Sequence, residues 1–178
     1  MEVMANLDEK EELINQVKVS FVKKQLYNLK ELAERASEIA LVDKDDKMIK
    51  LAIVSYAFSQ MIEKGHFINS SDWSIFSDKM IEKISNVDDE KIMQEVLSEI
   101  WEFSEKNGRF VTNVVEKARL KVGTQLYAHG ASLGVAAFMA KIDRNELLSY
   151  ISVTHLNEKY ITLSVGERLK RVLRNLEQ

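Results

Sequence analysis

A chain of 178 residues with no proline has little to interrupt a helix except glycine and capping chemistry, and it holds only six glycines. Apolar residues recur at three- and four-residue spacing almost throughout, while the alternation of a half-buried strand is scarce. The pattern predicts an all-α protein: a multi-helix bundle in which each helix buries its apolar stripe against another. With 46% apolar and 30% charged residues, the chain has enough apolar material to bury a core, which argues against disorder.

The first helix is expected to start near Asp8, with Glu11 at the capping-box position, and to run toward Asp43 as one long helix or two abutting ones. "DKDDK" at residues 43–47 reads as a polar linker leading into a central buried helix that ends at Gly65. Ser70 or Ser71 should start a helix through Trp73, Phe76, Met80 and Ile84. "SNVDDEK" should cap the next, which ends at Gly108. Asn113 with Glu116 opens a helix closing at Gly130, and Ser164 with Glu167 opens a short basic C-terminal helix. Residues 161–163 suit a brief extended segment. No residue-level repeat is present, so a helical-repeat array is a weak reading.

Charge is unevenly placed. Residues 1–108 carry 14 Lys and Arg against 22 Asp and Glu, whereas residues 109–178 carry 11 against 6. The expected organisation is an acidic N-terminal helical body over 1–108 and a basic unit over 109–178, where an anionic partner would dock. No linker-like sequence separates them, so packing as one domain is equally open. The longest apolar runs, "LAIV" and "VAAFMA", fall far short of a membrane span. The acidic N-terminus lacks a signal-peptide core, and there is no cysteine. A cytoplasmic protein with no membrane partner is expected.

The most specific stretch is "YAHGASLGVAAFMAKIDRNELLSYI", residues 127–151. It has the parts of a helix-turn-helix. Ser132 caps a first helix whose midpoint residues, Ala136 and Ala137, are small enough for a close crossing. Ile142 is placed to plug the turn. Asp143, with Glu146, caps a second helix whose inner face carries Leu147, Tyr150 and Ile151. Arg144, Asn145, Leu148, Ser149 and Ser152 are left for its outer face. Two features depart from the pattern. Lys141 stands where glycine is favoured, at a cost of roughly 1 kcal/mol if φ is positive. Asp143 and Glu146 place negative charge where DNA phosphate would approach. In the DNA reading, Arg144, Asn145 and Ser149 face bases. Lys121, Lys141 and Arg171 hold phosphates. Lys117, Arg119, Arg168, Lys170 and Arg174 add to the basic surroundings. For any one of these cations a solvated helix face is the simpler account.

The stretch "KARLKVGTQLYAHGASLGVAAFMAKIDRNELLSYIS" resembles the C-terminal part of little-characterised archaeal helical proteins, and a family of small prokaryotic antitoxin-like proteins. The resemblance is carried by Ala118, Leu126, Tyr127, Gly130, Ser132, Gly134, Ala136, Ala137, Glu146, Leu147 and Tyr150. It implies a DNA-binding or antitoxin-type regulator and covers about a third of the chain, leaving the N-terminal body unexplained.

Other chemistry is poorly supported. His66, His129 and His155 lie far apart, with no metal-ligand spacing. "GASLG" lacks the ending of a phosphate loop, "DKDDK" lacks the ligands of a calcium loop, and the Asp pairs sit at helix starts. Trp73 and Trp101 lie on apolar faces and are expected in the core. No catalytic residue, cofactor or metal is assigned, and an enzyme is the weakest reading. The expectation is a homodimeric DNA-binding regulator whose N-terminal body dimerises or binds an effector or protein partner. The alternative is a protein-interaction or scaffold module in which the helix-turn-helix is only structural.

Overall fold

The computed structural model describes residues 2–85, 90–108 and 113–157, in which eight helices and no strand are found. They are α1 (Glu2–Val22), α2 (Leu26–Asp43), α3 (Asp46–Glu63), α4 (Trp73–Ser85), α5 (Glu90–Asn107), α6 (Val114–Ala128), α7 (Leu133–Ala140) and α8 (Arg144–Asn157). The all-α expectation is met. The cap proposed within "SNVDDEK", the extended segment at 161–163 and the C-terminal basic helix with its Ser164 cap lie outside the described residues.

α3 is the axis of the fold. Every residue from Met48 through Met61 is buried, so this helix has no solvent face. A helix apolar on all sides must be surrounded, and α1, α2, α5, α6 and α7 all pack on it. Its few polar groups are satisfied locally. Ser55 Oγ donates to the Leu29 carbonyl at 2.8 Å, Ser59 Oγ to the Tyr56 carbonyl at 2.7 Å, and Lys50 Nζ meets Asp46 at 2.7 Å. An aromatic cluster closes the other end. Phe21 stacks on Phe58 (centroids 3.9 Å apart), Phe76 stacks on Phe103 (4.1 Å), and Trp73 touches Phe21, Phe76 and Phe103. One continuous core runs from Leu13 in α1 to Ile151 in α8, so the acidic and basic segments share it.

Helix boundaries correct two expectations. α1 begins at Glu2, and Asp8 lies inside it rather than capping it, because "EVMANL" contains no helix-breaking residue. The segment up to Asp43 is two abutting helices, one of the two arrangements expected. The break is a Schellman closure: Lys24 N–H donates to the Phe21 carbonyl (3.0 Å), Gln25 N–H to the Ser20 carbonyl (2.8 Å), and Lys24 takes φ 53°. Lys44 (φ 54°) ends α2 and Lys141 (φ 56°) ends α7 in the same left-handed conformation. Every non-glycine residue of positive φ among those described is thus a lysine, where sequence rules look for glycine. Gly130 (φ 113°) does serve that role after α6. At the start of α4 the helix opens at Trp73, two or three residues later than the Ser70 or Ser71 start expected; the Phe76 N–H bonds the Asp72 carbonyl.

The α2–α3 turn is locked to α1. Lys10 Nζ lies 2.7 Å from Asp43 and 2.8 Å from Asp45. Asp45 also caps α3, accepting from the Lys47 and Met48 N–H groups. Partial burial works to raise the Asp45 carboxyl. The Lys10 ammonium and those two N–H groups outweigh it, and hold the group below the ordinary carboxylate range.

Two outcomes are expected. Lys24→Gly should raise unfolding stability by roughly 0.5–1 kcal/mol by relieving the left-handed strain, while Lys23→Gly lowers it; chemical denaturation distinguishes them, and a loss in both variants would contradict the strain assignment. A carboxyl whose folded pKa is depressed contributes stability above its unfolded value of about 3.9, lost as pH falls through the lower folded value. The stability difference between wild type and Asp45→Asn, which can still cap α3, should therefore be largest near neutrality and shrink below about pH 4.

Candidate nucleic-acid interface

α7, the turn at Lys141 and Ile142, and α8 make a two-helix corner resting on α6. Ser132 Oγ accepts from the Val135 N–H at 3.2 Å and starts α7. Ala136 and Ala137 are buried, giving the close crossing that small side chains allow. Asp143 Oδ1 accepts from the N–H groups of Asn145 (2.8 Å) and Glu146 (3.1 Å) and starts α8. Leu147 and Ile151 are buried beneath it, and Tyr150 is half-buried.

Two contacts beneath the corner were not anticipated from sequence. Gly123 in α6 lies where a Cβ would come within 3.1 Å of Ile142, 3.2 Å of Leu147 and 3.3 Å of Ala140. The turn plug and the first inner residue of α8 thus seat on bare backbone. The signal was a lone glycine inside a helical pattern, which often marks close approach. The second contact is Arg119, whose Nη1 donates to the Lys141 carbonyl at 3.0 Å. This guanidinium, counted by sequence only among the basic surroundings of the corner, staples the C-terminus of α7. Burial lowers its pKa, and Glu116 nearby works in the opposite direction.

The candidate site residues divide. Arg144, Asn145 and Ser149 are exposed on one face of α8, with Leu148 and Ser152 beside them. Their angular spread on a helix of 3.6 residues per turn is under half the circumference. Among the described residues Arg144 makes no ion pair. Lys141 is exposed at the turn, with its Nζ 3.8 Å from Asp46, so an acidic group of α3 shares its field. Lys121 is half-buried on α6. Arg171 lies outside the described residues. Elsewhere on the basic side, burial and the nearby charge of Lys117 lower the pKa of Lys64, against an opposing pull from Glu63. The His129 ring sits at the C-cap of α6, with Nδ1 3.2 Å from Glu38 and Nε2 3.7 Å from Glu34, joining that helix end to α2.

One side chain is more exposed than the sequence suggests, and a second, on which the sequence reading is silent, is more exposed still. Trp101, expected in the core, is 38% exposed, whereas Trp73 is buried at 8%. The α5 apolar stripe is wide enough that Trp101 falls at its edge. Phe138 on α7 is 83% exposed, next to Val135 at 46%. α7 carries no charged residue; its alanine face is buried, and Leu133 and Met139 are half-buried against the core. Among the described residues no group of three or more His, Cys, Asp or Glu is placed to hold a metal, and no helix is long and apolar enough to cross a membrane.

The described residues therefore define an all-helical protein built around a buried central helix, with an outward-facing two-helix corner. Comparison with protein-family models, curated proteins and solved structures finds no match to the chain.

Gly123→Ala tests the seating of the corner. Helix propensity alone favours alanine by about 1 kcal/mol. Three side chains converge on the added methyl, however, so the variant should lose roughly 1–2 kcal/mol in thermal or chemical unfolding. A more stable variant would show that α7 and α8 are not held this closely.

Proposed function

We propose that the protein is a DNA-binding transcriptional regulator, antitoxin-like in type, that lays the outer face of α8 against duplex DNA. The observation that carries this reading is the division of α8. Leu147 and Ile151 are committed to the core, while Arg144, Asn145 and Ser149 face outward together. Arg and Asn present the donor patterns that match guanine and adenine edges in the major groove. The turn cation Lys141, together with Lys121 and Arg171, supplies phosphate contacts in this reading. A single short helix reads few base pairs, so the protein acts as a homodimer with its two reading helices about 34 Å apart, in the cytoplasm. The N-terminal body is assigned to dimerisation or to binding an effector or protein partner.

A second reading is favoured by a specific observation. Phe138 and Val135 on α7 and Leu148 on α8 are exposed apolar groups, and Asp143 and Glu146 bring negative charge to the first turn of α8. These suit a protein-interaction or scaffold module in which the corner is structural.

Fluorescence anisotropy with mixed-sequence duplex, titrated with salt, separates the two. The DNA reading expects log affinity to fall linearly with log salt. It expects Arg144→Ala/Asn145→Ala to weaken binding about tenfold or more, and Phe138→Ser to leave it unchanged. Absence of binding at low salt sinks the DNA reading and leaves the scaffold reading.

A further inference from the structure

The exposure of Trp101 belongs to a cleft that neither reading uses. Between α5 and α6 lies an open space of about 270 Å³. The α5 wall presents Trp101, Glu102 and Ser98, and the α6 wall presents Arg119. Leu97 and Val115, both almost fully buried, form an apolar base. The part-exposed indole of Trp101 offers a flat face for stacking. A guanidinium offers a planar fork of five N–H donors matched to a carboxylate or phosphate. Among the described residues, one of those donors is engaged, in the bond to the Lys141 carbonyl. The combination of one aromatic wall, one cationic wall and an apolar base is selective: it suits a flat molecule with a single acid group. The volume is slightly below the roughly 300 Å³ at which drug-sized pockets begin, so the ligand is small, of one or two fused rings.

We infer that the α5–α6 cleft binds a small planar aromatic acid, its ring on Trp101 and its acid group on Arg119. The shared chemistry is a π face carrying one anion, which either an aromatic carboxylate or a nucleotide provides. Glu102 at the rim repels a second acid group and accepts an N–H donor from the ring. Arg119 also holds the turn between α7 and α8, so occupancy acts on the corner through that one side chain. This regulatory consequence rests on the proposed DNA reading, whereas the binding site does not.

Isothermal titration calorimetry of the full chain, without DNA, tests the site with naphthoate, adenosine monophosphate and the neutral naphthalenemethanol. Saturable one-site binding of at least one of the two acids is expected, with the neutral compound at least tenfold weaker. Preference between the acids identifies the source of the ring. Trp101→Ala should weaken binding about fivefold or more. Arg119→Gln should erase the preference for the acid over the neutral compound. Because Arg119 also staples the corner, Ser98→Trp provides a second variant: Ser98 is exposed on the cleft wall, and its enlargement should block binding while the circular dichroism melt is retained. No saturable heat with either acid at millimolar concentration overturns the inference, as does binding left intact by both Ser98→Trp and Trp101→Ala.

Discussion

The burial of α3 on every side is the constraint on which the remaining structure depends. A helix with no solvent face needs neighbours all around it, and α1, α2, α5, α6 and α7 meet that need. Each of these helices can then be amphipathic, with one face for α3 or its neighbours and one for water. The apolar sequence of α3 excludes a two-layer hairpin and forces a surrounded core. It also explains why Ser55, Ser59 and Lys50 find partners within one turn or on an adjoining helix, since an unpaired polar group at that depth would be expensive.

From this axis the corner inherits its position. α6 packs directly on α3, and Gly123 gives it a flat spot. Ile142 and Leu147 settle there, and Arg119 fixes the α7 terminus from the same helix. The outer face of α8 is thus presented by rigid elements rather than by a loop, as a recognition surface requires. The same rigidity suits a structural corner, and the exposed Phe138 keeps a protein partner in view.

Much of the fold was legible because it rests on local chemistry. The Ser132 and Asp143 caps, the small pair Ala136 and Ala137, the inner residues Leu147 and Ile151, and the closure at Gly130 were all written in short-range patterns. The break after α1 was not, because Lys24 does a glycine's work at a modest cost that three- and four-residue periodicity does not register. Trp101 and Arg119 were misplaced for a related reason. Periodicity gives the side of a helix, not how far away its neighbour lies, so a stripe-edge tryptophan reads as core and a structural arginine as a surface cation. Neither the staple at the Lys141 carbonyl nor the cleft has a counterpart in spacing.

The account turns on which surface meets a partner. Amide chemical-shift mapping of isotopically labelled protein, titrated with duplex DNA at low salt, tests this most directly. The account expects the largest perturbations at Arg144, Asn145 and Ser149, with the buried α3 amides and the Val135 and Phe138 face little changed. Perturbations centred on Phe138, or none along α8, would contradict it.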